Sequence, residues 1–407
     1  MRTFLLLAFR NVFRNRRRTA MTLVIVAGGV TALLLAGGFF ALMFSGIREV
    51  TIQNGLGHLQ IYNSAFFSSE ERRTLENGLT DYRQVAASVA GLPHVKGVAP
   101  RIEFFGMISN GIKSTTYMAM AVEPREEEKM GFRPRIVSGR NLSPDPAGAH
   151  EVLLGTGLAR SLDVKPGDGL TMMGVTPDGA LNGIDVEVVG TFTASFKEID
   201  DRALRLTLPA AQQLLDTEKV TKLVVGLDDT AQTDAAYANV VSVMGQRGLT
   251  VKKWVELATV YQQVKMMFGG VFAFMCTIVF FMVVMSSANT MLMAMFERTR
   301  EIGTMLAMGT PRSWIWALFV AEGVITGILG AALGLAAGNG LAFLINKANI
   351  QVPPPPGNVE GFPLQVLHVP ELMIGASILV VGTLAAASVV PAIRAARLRI
   401  VESLSHV

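Results

Sequence analysis

The sequence predicts an α-helical membrane protein with four transmembrane helices plus a large α+β extracytoplasmic domain. Three observations predict it. The chain is 50% hydrophobic and only 17% charged, with a mean hydropathy of +0.42, above what a soluble globular domain carries. Four stretches are apolar over the roughly 20 residues that a helix needs to cross a bilayer core about 30 Å thick. Between the first and second of these lies a long segment with the alternating, turn-punctuated pattern of a folded domain.

Residues 1–18 come first and carry Arg2, Arg10, Arg14, Arg16, Arg17 and Arg18. At about 100° per residue, Leu5, Ala8, Phe9, Val12 and Phe13 share one arc while Arg10, Arg14, Arg17 and Arg18 share another. This is the pattern of an amphipathic helix lying in the headgroup layer, although Leu6 and Leu7 depart from it. The first span, 19–45, has no charge between Arg18 and Arg48. Its apolar run is too long for the core of a secretory signal, so it is expected to stay as a helix.

Residues 46–265 are enough for one or two domains with real cores. HLQIY (His58 to Tyr62), YMAMAV (Tyr117 to Val122), DVEVVGTF (Asp185 to Phe192) and KLVVGL (Lys222 to Leu227) read as strands. The segments Asp81 to Ala90 and Thr233 to Arg247 read as amphipathic helices. Turn signals concentrate between Ser138 and Thr217, at Gly139, Pro166-Gly167-Asp168 and Pro177-Asp178-Gly179. They predict a β-rich subdomain, 138–217, inserted between two α/β pieces, 46–137 and 218–252. Ile47 to Gly55 and residues 253–265 are expected to continue the first two spans outward as helical stalks.

The second span, 266–296, is free of charge. After it comes ERTREIGTMLAMGTPRSWI, Glu297 to Ile315, in which 297–312 form a charged segment between two spans. Ile302, Met305, Leu306 and Gly309 follow helical spacing and make a small apolar stripe flanked by Glu297, Arg298, Arg300 and Glu301. A short helix of this kind suits a groove in a partner. Gly309 is the expected helix stop, Thr310 the next N-cap and Pro311 a first-turn residue, with Arg312 following.

The third span, 313–346, has Glu322 as its only charge. A carboxylate there is costly unless it is paired; inner headgroups, Arg312 or Arg394 are within its reach. The same span carries Gly323, Gly327, Gly330, Gly334 and Gly338, four-residue spacings that let helices approach closely. The packing partner is left open between other spans of the chain and a second copy. A loop, 347–369, leads to the fourth span, 370–393, and a tail, 394–407.

Lys and Arg near span ends are retained on the cytoplasmic side. Arg2 to Arg18, then Arg298, Arg300 and Arg312, then Arg394, Arg397 and Arg399 stand against Lys347 alone in the 347–369 loop. Both termini and the 297–312 segment are therefore expected in the cytoplasm, and the large domain outside.

The chain holds no Gly-Lys dipeptide, so a Walker A phosphate loop is impossible in it. If ATP drives this protein, another subunit binds the nucleotide. No G-x-S-x-G, no H-E-x-x-H and no clustered metal ligands are visible. The single cysteine, Cys276, lies inside a span and permits no internal disulfide. A non-catalytic subunit without metal or bound cofactor is expected, and no nucleic-acid partner.

The run from Asn289 to Arg312, with N-x-M followed by ERTREIG and then A-x-G-x-x-R, resembles the segment after the second span of FtsX-like permeases, the MacB, LolC and LolE group of ABC transporters. AFRNVFRNRRRT (Ala8 to Thr19) and PAIRAARLRIVESL (Pro391 to Leu404) are similar to that family's two ends. The resemblance implies a bacterial inner-membrane dimer, formed with a second copy or a related permease and contacting membrane lipids. It also implies a cytoplasmic ABC ATPase dimer as partner, with ATP and Mg bound there.

By position, 297–312 becomes the ATPase-coupling segment. The outer domain becomes a porter-like part with an inserted sabre-like β part, and motion is relayed outward through the stalks. GHLQIYNSAF looks most like the lipoprotein-releasing LolC/LolE type, which implies extraction of lipoproteins or other lipidic cargo. A MacB-like efflux permease and an FtsX-like regulator of a cell-wall hydrolase are the alternatives. A periplasmic chaperone or adaptor is a further implied partner, and Gly174 to Asp185 is the candidate hairpin for it.

Overall fold

The computed structural model describes residues 2–68, 75–145, 150–194, 197–244, 248–352 and 362–400. The chain divides into a helical unit, Met1–Ser45 with Val264–Gln351 and Pro363–Val407, and a sheet unit, Gly46–Gln263 with Val352–Phe362.

In chain order the elements begin with α1 (Arg2–Arg14), α2 (Arg16–Thr51), a π-helical turn at Ile52–Leu56, β1 (Leu59–Asn63), α3 (Tyr82–Ala90), β2 (Val95–Ser109) and β3 (Ser114–Val122). Next come α4 (Pro124–Met130), β4 (Arg135–Gly139), β5 (Glu151–Gly155), α5 (Thr156–Leu162), β6 (Gly169–Val175), β7 (Leu181–Thr193), α6 (Lys197–Asp200) and β8 (Ala203–Thr207). They are followed by α7 (Leu208–Leu215), β9 (Lys222–Leu227), α8 (Thr233–Met244), β10 (Leu249–Lys253) and α9 (Trp254–Leu257). Then come α10 (Thr259–Glu297), α11 (Thr299–Ala307), α12 (Arg312–Ala348), β11 (Gln351–Val352), β12 (Phe362–Pro363) and α13 (Pro370–Ala396).

Among the described residues four helices are long and apolar enough to cross a membrane, α2, α10, α12 and α13, and most of each lies in the helical unit. Each begins or ends a little beyond the apolar run read from sequence, because the flanking Arg, Gln, Lys and Glu are good enough helix formers to continue the ladder past the last apolar turn. Val26, Val30, Leu33 and Leu34 of α2 pack with Val279 and Val283 of α10 and with Ala376, Val380 and Leu384 of α13.

The sheet unit is built on one ten-stranded sheet. Six of its strands close on themselves: β2 pairs β3, β3 pairs β8, β8 pairs β5, β5 pairs β7, β7 pairs β6, and β6 returns to β2. Ile108, Tyr117, Val152, Leu154, Leu170, Met172, Ile184, Leu204 and Leu206 on these strands belong to one buried core, with Leu158 and Leu162 of α5 and Leu214 of α7. The first half of β2 carries the sheet on through β9 and β1 to β10.

Three expectations are refined here. The strands read from HLQIY, YMAMAV, DVEVVGTF and KLVVGL fall in β1, β3, β7 and β9, and the strands within residues 138–217 are continuous with the same sheet. Their strands pair with β2 and β3 and their helices α5, α6 and α7 break the β-rich pattern. Closure satisfies edge hydrogen-bonding groups that a free-standing insert would leave open.

The second stalk is also interrupted. Ala258 (φ −81, ψ 66) separates α9 from α10 within 253–265. The break lets Trp254 and Tyr261 meet edge to face at 5.0 Å. Both join Ile52, Ala99, Met130, Phe132, Val224 and Ala258 in one apolar cluster, with Ile47 of α2 at its margin. The third change lies in α1, where the expected single apolar arc is split: Ala8 and Val12 are buried, whereas Phe9 and Phe13 are exposed.

Candidate functional site

The charged segment between α10 and α12 is the candidate site. Arg298 (φ −112, ψ 13) turns the chain between α10 and α11. Gly309 sits at φ 87, a left-handed conformation that disfavours any side chain. The Gly309 N–H donates to the Leu306 carbonyl at 3.1 Å, and the Thr310 N–H to the Met305 carbonyl at 3.0 Å. The N-cap of α12 is Pro311, extended at ψ 144, rather than Thr310, and Arg312 is the first helical residue. The sequence reading was one residue early because a proline at Ncap leaves its missing N–H without cost.

The apolar stripe of α11 faces its own chain. Ile302 is buried with Met295, Ile315, Phe319, Ala392 and Ala395, and Met305 and Leu306 pack at the edge of that cluster. The nearest apolar surface takes the stripe, so the face left for a partner is Arg300, Thr304, Ala307, Met308, Gly309 and Arg312, with Met308 74% exposed.

Charges fasten the segment from three sides. Glu322, expected to meet Arg312 or Arg394, instead accepts from Asn11 of α1 at 2.7 Å and from Arg298 at 3.1 Å. Arg298 stands at the α10–α11 turn, and the pair is largely shielded from water, with side chains 11% and 8% exposed, so its mutual attraction must offset the desolvation of both charges. Arg14 donates to both oxygens of Glu301, at 2.9 and 2.6 Å. That hydrogen bond, with the Arg14 charge, holds the Glu301 carboxyl below the usual carboxylate range against an opposing effect of burial. Arg18 pairs with Glu297 at 2.7 Å.

The exposed pairs contribute at most about 1 kcal/mol each. The Arg298–Glu322 pair is different: removing one partner of a buried pair costs about 3–5 kcal/mol.

The glycine stripe is divided between two neighbours. A Cβ on Gly323 would meet Ser388 and the Leu384 carbonyl of α13, and one on Gly327 would meet Val381. Gly330, Gly334 and Gly338 lie against Val26, Val30 and Leu34 of α2. All five therefore serve packing inside this chain.

A second constellation, in the sheet unit, was missed by sequence reasoning. Arg101 on β2 is fully buried, donates to both oxygens of Glu127 on α4 at 2.7 and 2.9 Å, and donates to the Gly55 carbonyl at the end of the π-helical turn. Its guanidinium also lies 5.6 Å from the Phe132 ring centroid. The available signal was an arginine amid the apolar run VAPRIEFF, where a strand buried on both faces leaves it no route to water.

The predicted hairpin exists as β6 and β7 in antiparallel register from Gly169↔Glu187 to Val175↔Leu181, with Val175 and Leu181 exposed at its tip.

Comparison with known proteins adds the following. The family model described as "MacB-like periplasmic core domain" matches residues 19–243, and the one described as "FtsX-like permease C-terminal" matches residues 271–400. The lipoprotein-releasing system transmembrane protein LolE of Haemophilus influenzae is 23% identical over 77% of this chain and 78% of its own length. The LolC protein of Xylella fastidiosa strain 9a5c is 23% identical over 80% of this chain and 81% of its own. The macrolide export ATP-binding/permease protein MacB of Hyphomonas neptunium is 26% identical over 42% of this chain and 28% of its own.

Proposed function

Because the chain belongs to the family of ABC transporter permeases that join a MacB-like periplasmic core domain to an FtsX-like C-terminal module, we propose that it extracts lipoproteins or another lipidic cargo from the bacterial inner membrane. Its similarity to LolE and LolC runs over 77% and 80% of this chain, and its similarity to the MacB of Bdellovibrio bacteriovorus over 66%. The longer match favours cargo release, with efflux as the second reading.

The observation that carries the mechanism is helical continuity. α2 runs unbroken from Arg16, beside the ion-paired segment, to Thr51, and its residue Ile47 reaches the apolar cluster of the sheet unit. α10 runs from Thr259 to Glu297, the residue next to Arg298, and its Tyr261 is buried in that same cluster. In this reading a displacement applied at α11 is passed along α2 and α10, each rising about 1.5 Å per residue, toward the outer domain.

With no phosphate loop in this chain, energy enters from an ABC ATPase dimer that binds ATP and Mg. In this reading α11 and both termini are cytoplasmic, and the exposed Arg300, Met308 and Arg312 contact the ATPase. Glu297, Arg298 and Glu301 hand the displacement to α1, α2 and α12. A second permease, identical or related, completes the machine, and the β6–β7 tip faces a periplasmic chaperone or adaptor.

The test is reconstitution of the permease with its ATPase in proteoliposomes. ATP-dependent transfer of a triacylated lipoprotein to a soluble acceptor supports the reading; macrolide movement without lipoprotein transfer replaces it with efflux. A flexible Gly-Ser insertion near Val260 is expected to leave ATP hydrolysis running while transfer stops.

A further inference from the structure

Helix α1 presents two faces with different occupants. One is taken by α12: Asn11 donates to Glu322, and the Phe4 ring meets Trp314 edge to face at 5.6 Å. Ala8 and Val12 are buried on that side. The opposite side carries Leu6, Phe9 and Phe13, which are 52%, 48% and 41% exposed. At helical spacing these three fall within a sector of roughly 60°, and the Phe9 and Phe13 rings lie 4.9 Å apart.

Exposed arginines border the stripe. Arg10, Arg16 and Arg17 are exposed and have no acidic partner among the described residues, whereas Arg14 and Arg18 are held by Glu301 and Glu297. Only Asn15 separates α1 from α2, a membrane-crossing helix, so this surface lies where that span leaves the bilayer. The exposed apolar side continues onto α2 through Met21 and Val24.

We propose that this second face of α1 docks on an anionic lipid surface, and that the Arg14–Glu301 and Arg18–Glu297 pairs report its occupancy to α11. Aromatic rings and leucine suit the acyl boundary, and guanidinium groups suit lipid phosphates, to which they can donate two parallel hydrogen bonds. The lipid phosphates also attract Arg14 and Arg18, so a charged leaflet competes with Glu301 and Glu297 for the same two guanidiniums and loosens their hold on α11. This inference needs a membrane-spanning permease but no particular cargo, so it stands or falls apart from the cargo assignment.

The experiment uses the full chain in nanodiscs of phosphatidylcholine with and without phosphatidylglycerol. Native mass spectrometry of protein released from mixed discs is expected to show phosphatidylglycerol retained in preference to phosphatidylcholine. The R10Q/R16Q/R17Q variant is expected to lose that preference at least tenfold, whereas R300Q/R312Q keeps it. Amide exchange in α11 is expected to be faster in discs containing phosphatidylglycerol, and E297Q/E301Q removes the difference. Equal retention of both lipids, or retention unchanged in R10Q/R16Q/R17Q, overturns the proposal. So does a variant that keeps its lipid but sheds the ATPase, since the surface would then be a protein interface.

Discussion

Arg298 donates to Glu322 across 3.1 Å from side chains 11% and 8% exposed, and so fixes the turn between α10 and α11 to the interior of α12. Asn11 shares the same carboxylate oxygen from α1. Three elements distant in sequence therefore meet at one oxygen atom.

Glu322→Ala is expected to leave the Arg298 guanidinium with only Glu301, 3.5 Å away, as an acidic partner and to destabilise the permease by up to about 3 kcal/mol, the low end of the cost of breaking a buried pair. The paired replacement R298M/E322L removes both charges and is expected to recover most of that loss. The monodisperse fraction in detergent after a temperature ramp checks both. A double variant no better than the single one would show that the pair is not the stabilising contact.

Met308→Asp changes a residue 74% exposed and should leave yield and melting unaltered. Co-purification with the ATPase is expected to fall at least tenfold, about 1.4 kcal/mol of binding. Ile302→Asp, by contrast, places a charge in a buried cluster and should lower stability before any binding is measured. Full ATPase recovery with Met308→Asp would remove α11 as the docking element.

Gly334→Val should force α2 away from α12, because even a Cβ there would lie 2.9 Å from the Ala27 carbonyl. Overpacking of this kind costs about 1–3 kcal/mol. Gly382→Ala in α13 has open space around the added methyl and should stabilise by about 0.5–1 kcal/mol through backbone entropy. Thermal melts of the two variants in the same detergent should move in opposite directions.

His58 gives a pH dependence. Burial pushes its imidazole below the ordinary histidine value, with Glu49 and Asp229 opposing that shift. Its Nδ1 accepts from the Leu227 N–H and its Nε2 meets the Thr230 hydroxyl, both at 3.1 Å. A depressed base stabilises the fold fully above its unfolded value of about 6.5, and this contribution fades as pH falls below it. Exchange of the Leu227 amide, corrected for its intrinsic rate, should be faster at about pH 5 than at about pH 8, and His58→Gln should flatten the difference.

Arg101→Met would leave Glu127 buried without its partner and the Gly55 carbonyl without its donor. Arg101→Lys keeps the charge but loses the two-pronged geometry. In the lysine variant, ATP hydrolysis is expected to continue while cargo transfer drops at least fivefold. Equal losses of hydrolysis and transfer would make Arg101 a stability residue only.

Length and hydropathy of the spans were legible because a charge-free run of span length is costly anywhere but in lipid. The same holds for the strands read from KLVVGL and DVEVVGTF, whose β-branched residues prefer a pleated, buried setting. The ring closed by β6 returning to β2 was not legible, since pairing partners distant in sequence leave no local pattern. Residues 138–217 therefore read as an inserted β-rich subdomain, and the structure adds that β6, within it, pairs back to β2.

The candidate site divides in the same way. Sequence by itself determined that the segment Glu297 to Arg312 holds a short, charged, amphipathic helix stopped before Gly309, that Glu322 needs a partner, and that Gly323 to Gly338 admits close helix approach. These follow from charge, period and the missing Cβ, all properties of the local chain. Only the tertiary structure decided that Ile302 turns inward, that Arg298 and Asn11 satisfy Glu322, and that the glycines are split between α13 and α2. The physical reason is that an apolar stripe or a buried charge specifies what kind of neighbour it requires, whereas which neighbour arrives depends on how the helices cross.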